Sequence, residues 1–151
     1  MNAKYGHYMD DYATYHRNPK NKATHYLGIP MIVFSVIVFL RTWLLGSLGP
    51  VSLDGALLVM VPVLAFYLYL NPVTGLGMTI IFAFMYWGAP MVPTVAAVVL
   101  FVGGWVLQFI GHHFEGKKPA FFRNAVHLLI GPLWILNDLF VKLKLPAYQP
   151  E

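Results

Sequence analysis

Apolar residues along this chain are gathered into five runs, and every charged residue except Arg41 and Asp138 lies between or outside them. Residues 1–17 carry His, Tyr, Asp and Arg, with Tyr8, Tyr12 and Tyr15 or His16 recurring at helical spacing, which predicts a polar amphipathic helix. Asn18-Pro19 breaks it. Asn is a favoured N-cap and Pro is tolerated at the first helical position, so a second helix is predicted from Pro19. The first apolar run covers residues 26–45, with Arg41 near its far end; the second covers 55–70 and the third 73–87, separated only by Asn71-Pro72. The fourth, 92–111, is as long as the first and carries no charge. Pro30, Pro62, Pro90 and Pro93 lie within or beside these runs and are expected to kink or end helices.

A straight transmembrane helix needs about 20 apolar residues, so runs two and three are short and predict a hairpin that thins or incompletely crosses a bilayer. Four crossings put both termini on one side. Lys4, Arg17, Lys20 and Lys22 precede the first run, Lys117, Lys118, Arg123, Lys142 and Lys144 follow the fourth, and only Arg41 lies between. That distribution predicts cytoplasmic termini, in a bacterial inner membrane or the endoplasmic reticulum. A fifth run, 125–141, is interrupted by Gly131-Pro132 and contains His127, Asn137 and Asp138. If it crossed, Lys142 and Lys144 would lie outside, so a broken interfacial or re-entrant helix is expected. The predicted fold is all-α: one domain over 1–151, an integral membrane bundle of about four transmembrane helices with interfacial or re-entrant helices at both ends.

Composition agrees. The chain is 58% hydrophobic and 11% charged, with a mean hydropathy of +0.63, whereas soluble domains are roughly 25% charged. Too few charged side chains exist to cover a body of this size, so membrane lipids are the expected surroundings. The net charge of +4 flanks apolar runs instead of forming a patch on a polar domain, which argues against nucleic acid and for anionic headgroups. With no cysteine, disulfides, thiolate ligands, iron–sulfur clusters and a cysteine nucleophile are excluded.

Three histidines stand just outside apolar runs and on the same predicted side of the membrane. His16 ends one element, and His25 lies about two turns into the next; the turn between them is what allows them to meet. His112 follows the fourth run. Gln108, His112 and Glu115 form one stripe if that helix continues through Gly111, with Trp105 a turn earlier. Glu115 is a candidate ligand, base or carboxylate orienting a ligand histidine, and Gln108 a candidate for a substrate carboxylate or a ring nitrogen. His113 points about 100° away from His112 on a helix, and His7 is expected at the surface. His127 is either a fourth ligand or a core histidine. Tyr15, Asn18 and Asn21 are candidates for positioning substrate oxygens, although turn and cap roles also explain the asparagines. Lys117 and Lys118 suit a carboxylate or a phospholipid headgroup. Singly, each polar residue is explained as an interfacial side chain reaching for headgroups; jointly, three imidazoles suggest a metal site, with iron, zinc, copper and nickel all compatible with nitrogen donors.

Tyr15-His16-x-Asn18-Pro19-x-Asn21-x-x-x-His25-x-x-x-x-Pro30, with Trp105-x-x-Gln108-Phe109-x-Gly111-His112, then Phe114-Glu115 and Pro119-Ala120, resembles the 2-hydroxy fatty acid dioxygenase family over nearly the whole chain. The resemblance implies an Fe(II)-dependent membrane enzyme that uses O2 to shorten a 2-hydroxy fatty acid by one carbon. It implies that the essential histidines are His16, His25 and His112. Other readings are a di-iron lipid hydroxylase, which needs more histidines than the six present, a lipid-binding or transport protein, and a haem held between two histidines.

Overall fold

Residues 2–49 and 51–149 are described by the computed structural model. They form six α-helices and one hairpin: α1 (Ala3–Ala13), α2 (Pro19–Arg41), β1 (Leu44–Leu48), β2 (Val51–Asp54), α3 (Gly55–Leu70), α4 (Pro72–Gly88), α5 (Thr94–Glu115) and α6 (His127–Lys142). Short 3₁₀ turns follow α4 and precede α6.

Helix starts follow local chemistry. The Asn18 side chain accepts from the Lys20 N–H and Pro19 takes the first position of α2, as the sequence predicts. Asp54 accepts from Leu57 N–H to open α3, and Asn71 accepts from Val73 and Thr74 to open α4. Asn71 N–H also donates to the Tyr67 carbonyl, so one residue closes α3 and starts α4. Gly116, at φ 69°, ends α5 in the left-handed conformation that glycine tolerates best.

The central packing is α2 antiparallel to α5. A Cβ on Gly28 would lie 2.8 Å from the Gly104 carbonyl, and one on Gly104 would lie 2.8 Å from the Gly28 carbonyl. The two backbones therefore approach as closely as small-residue helix pairs allow. The α3/α4 hairpin packs beside them, and α1 and α6 cover the end where α2 begins and α5 finishes. There Tyr5, Met9 and Tyr12 of α1 are buried with Ile130, Leu133 and Trp134 of α6. Asn137 is buried but satisfied: its Oδ1 accepts from Tyr5 OH and Tyr148 N–H, and its Nδ2 donates to the Tyr148 carbonyl. Burial pushes the Tyr5 phenol up to about 12, against the hydrogen bond with Thr74.

Among the described residues, α2, α5 and α4 with its 3₁₀ extension (Pro72–Met91) are long and apolar enough to cross a bilayer, while α3 is apolar but shorter. The expectation of about four spans thus becomes three candidates and one short helix. Leu58, Phe84, Trp87 and Val95 stand 67–79% exposed on the outside of the bundle, an apolar surface suited to lipid.

Three expectations need correcting. The first helix is shorter than 1–17 (Met1 lies outside the described residues), because Thr14 to His16 turn toward α2. The first apolar run, expected over 26–45, is helical only to Arg41, and Leu44 and Leu45 belong to β1 of the antiparallel hairpin; Gly46 and Gly49 both take positive φ there, which no helix accommodates. Finally, α6 is unbroken at Gly131-Pro132, and of the two outcomes expected at Pro30 and Pro62, a kink or an end, neither residue ends its helix. Packed apolar helices tolerate the single backbone bond that each proline removes. Pro90 and Pro93, by contrast, lie at the α4–α5 boundary. Arg41 is also explained: its guanidinium donates to the Tyr86 carbonyl at 2.6 Å and lies 3.5 Å from Asp54, which accepts from Tyr86 OH at 2.7 Å.

Candidate metal centre

The turn at Thr14–Asn18 folds His16 back onto α2. Its Nδ1–H donates to the Tyr12 carbonyl at 2.7 Å, and the Tyr12 ring stacks on the imidazole with 4.1 Å between centroids. His25 repeats the bond: its Nδ1–H donates to the Asn21 carbonyl, four residues earlier, at 2.9 Å. A carbonyl only accepts, so both rings carry their hydrogen on Nδ1 and present a bare Nε2. His112, on the last turn of α5, has a buried Nδ1 with no hydrogen-bond partner.

The three imidazoles converge. Each offers one nitrogen within 4.8 Å of the others, and the ring centroids are 4.4 to 5.1 Å apart. All three side chains are buried, and His16 Nε2, like His112 Nδ1, has no partner. A buried polar atom without a partner costs about 1–3 kcal/mol, so two such atoms on neighbouring imidazoles require a reason. Burial drives His16 down to about 2, helped by the neighbouring His25 and opposed by the bond to Tyr12. His16 is therefore a neutral donor at physiological pH. Neutral nitrogens with free lone pairs fit a divalent first-row ion. Rings this close leave no space for a porphyrin between any two of them.

Gly111 makes this convergence possible. A Cβ there would lie 2.2 Å from Thr24 Oγ1, 2.4 Å from Asn21 Oδ1 and 3.1 Å from His25 Nδ1. Any larger residue would require the Thr24 and Asn21 side chains to move or α5 to withdraw from α2.

The remaining predicted residues divide between two places. Glu115 lies on the α1–α2 turn: Oε1 accepts from Arg17 N–H, and Oε2 accepts from Asn18 N–H and Asn21 Nδ2. Asn18 Nδ2 donates to the Phe114 carbonyl, and Asn21 Nδ2 also donates to the Tyr15 carbonyl. Lys117 Nζ donates to the Thr14 carbonyl, and Tyr15 OH accepts from Arg123. Together these side chains fasten the turn carrying His16 to the end of α5 carrying His112. Gln108 lies instead beside the histidines, in a cavity shared with Ile29, Trp105, Phe121 and Tyr12, and its buried Nε2 has no partner. His127 lines the same cavity but stands outside the three-histidine group. Its Nδ1–H donates to the Asn124 carbonyl and its Nε2 lies 2.9 Å from Asp11. His7 and His113 are exposed.

Sequence reasoning passed over Tyr12 and Trp134, which stack or tilt against His16. The Tyr12-x-x-x-His16 spacing was the available signal.

Fold and site together define a membrane-type helical bundle with a buried three-histidine site at one end. Residues 3–143 match the family described as 2-hydroxy-palmitic acid dioxygenase Mpo1-like, and the chain belongs to that family. It is similar to 2-hydroxy-palmitic acid dioxygenase MPO1 of Saccharomyces cerevisiae, with 31% identity over 140 residues, covering 87% of this chain and 77% of that protein. No solved structure matches the chain.

Proposed function

We propose that this protein is an iron-dependent dioxygenase that converts a 2-hydroxy fatty acid to the acid one carbon shorter. A 2-hydroxy acid plus O2 gives the shortened acid, CO2 and water, so the substrate supplies the electrons. The observation that carries this reading is the set of three buried imidazoles, two with partnerless ring nitrogens.

His16, His25 and His112 would hold the ion, the first two each fixed in one orientation by a backbone carbonyl. Such outer contacts set ligand direction and basicity. Bound Fe(II) would supply the one-electron chemistry that O2 requires and polarise the substrate's oxygens. Gln108 Nε2 is a buried donor without a partner and would donate to the substrate's carboxylate or hydroxyl oxygen. Ile29, Ile32, Trp105 and Phe121 form the apolar wall of the cavity and exclude water. Glu115, Asn18 and Asn21 act as positioning residues, holding the two histidine-bearing segments in register.

The test is full-length protein purified in detergent, stripped of metal and reloaded with Fe(II) under anaerobic conditions. On admitting O2, 2-hydroxypalmitate should yield the odd-chain acid with one CO2 for each O2 consumed. Full turnover by metal-free protein would overturn the iron assignment, and no turnover by iron-loaded protein would overturn the reaction.

A further inference from the structure

A second cavity opens beside the histidine site, between α2, α4 and α6, and the two share Ile29 and Val33 as a common wall. His25, Ile29 and Val33 are four residues apart, so they form one stripe on α2 leading from the candidate metal centre into the groove. The same progression occurs on α6, where Gly131 borders the histidine cavity and the adjacent Pro132 borders the groove. Only Ile, Pro, Val, Met, Phe and Leu line this second cavity. No side chain there offers a hydrogen bond, so a polar guest would have to abandon water uncompensated, whereas an apolar one would not.

Its walls extend along two helices around a free volume of about 100 Å³, which admits part of a tail. On α4 the lining runs from Met78 to Met85, and on α6 from Pro132 to Leu139. Seven residues of helix correspond to about 10 Å, and the turn from His25 to Ile29 adds about 6 Å. Two methionines on one wall let it adapt to a flexible chain.

We propose that this groove holds the acyl tail of the substrate, with its carboxyl end among the histidines, and that Phe82 and Met85 set the chain length accepted. The inference rests on the proposed function for the identity of the head group; the groove itself is read from its own walls. Phe82 is 6% exposed, and its ring borders the groove. Removing it lengthens the space, and enlarging Val33 obstructs the junction between the two cavities.

Two measurements test it. In the first, iron-loaded protein is given 2-hydroxy acids from medium to very long chain. Phe82→Ala should shift the kcat/KM optimum toward longer acids, and Val33→Phe should penalise long acids by at least about 10-fold relative to short ones. An unaltered length profile in both variants would overturn the proposal. In the second, wild-type protein is photolabelled anaerobically with a 2-hydroxy acid bearing a diazirine near its methyl end. Labelling should fall on residues 78–85 and 132–139. Labelling confined to the outer face, around Leu58, Phe84 and Val95, would overturn the groove even if the enzyme is active. Labelling inside the groove with no turnover of any acid would support the groove and reject the reaction.

Discussion

Glu115 Oε2 accepts the Asn18 backbone N–H at 2.8 Å, joining the last residue of α5 to the N-cap of α2 across 97 residues of chain. With Arg17 N–H and Asn21 Nδ2 also donating, three donors converge on one carboxylate. Glu115→Gln replaces one acceptor oxygen with an NH2 group that faces donors. Metal affinity should fall by about 10- to 100-fold, the usual consequence of losing an outer contact, with about 1–3 kcal/mol of stability lost as well. Metal titration and thermal melting of the purified protein check both. Unchanged values in both would mean that the clamp does not position the histidines.

Gly111→Ala should separate α2 from α5. Its Cβ would overlap Thr24 and Asn21 side-chain oxygens at 2.2 and 2.4 Å, and overpacking of this kind costs about 1–3 kcal/mol. Gly88→Ala is the matched control, since a Cβ there meets nothing within 4 Å. It should melt at the wild-type temperature or slightly above. Equal melting of the two variants would argue against close backbone approach at the site.

Much of this arrangement is legible in the residues. Run boundaries located α3 and α4 nearly to the residue because Asn71 and Pro72 are strong local signals. The convergence of His16, His25 and His112 follows from the Asn18-Pro19 turn and antiparallel crossing helices. Other features were hidden because they depend on packing across distant segments. Glu115 continues a stripe with His112 in the sequence, but the Arg17 and Asn18 amides that donate to it lie 98 and 97 residues away, beyond any local pattern. The asparagines, weighed as substrate contacts or caps, cap the helix and clamp the turn. The hairpin of β1 and β2 was hidden by Leu44, Leu45 and Leu48, which read as membrane but stand exposed on β1.

The histidines should separate into two groups by metal content. Ala replacements at His16, His25 or His112 remove one of three converging donors and should reduce affinity by more than the roughly 100-fold upper range of outer-contact changes. His127→Ala should retain wild-type stoichiometry, because its nitrogens already face Asn124 and Asp11. Elemental analysis after anaerobic iron loading distinguishes them. Loss of iron from His127→Ala equal to that from His25→Ala would make His127 a fourth ligand.

The last prediction concerns pH and lies outside the candidate metal centre. Asp138 accepts hydrogen bonds from Tyr26 and from Lys142 Nζ at 2.9 Å, and Lys142 also donates to Tyr26 OH at 2.5 Å. Burial alone would raise the Asp138 carboxyl, but these donors hold it below its usual 3.8. Hydrogen bonds to Tyr26 and Asp138 hold Lys142 above 10.5. A depressed acid stabilises the fold above its unfolded pKa and loses that contribution as pH falls through the folded value. A raised base stabilises below its unfolded pKa and loses it as pH rises through the folded value. The cluster should therefore be at full strength between about pH 4 and 10.5. Asp138→Asn should melt below wild type at pH 7, and the gap should narrow as both are acidified toward pH 3. Subtracting one melting curve from the other cancels titrations common to both proteins, including that of His16. A gap that stays constant across this range would show that the carboxylate contributes packing alone.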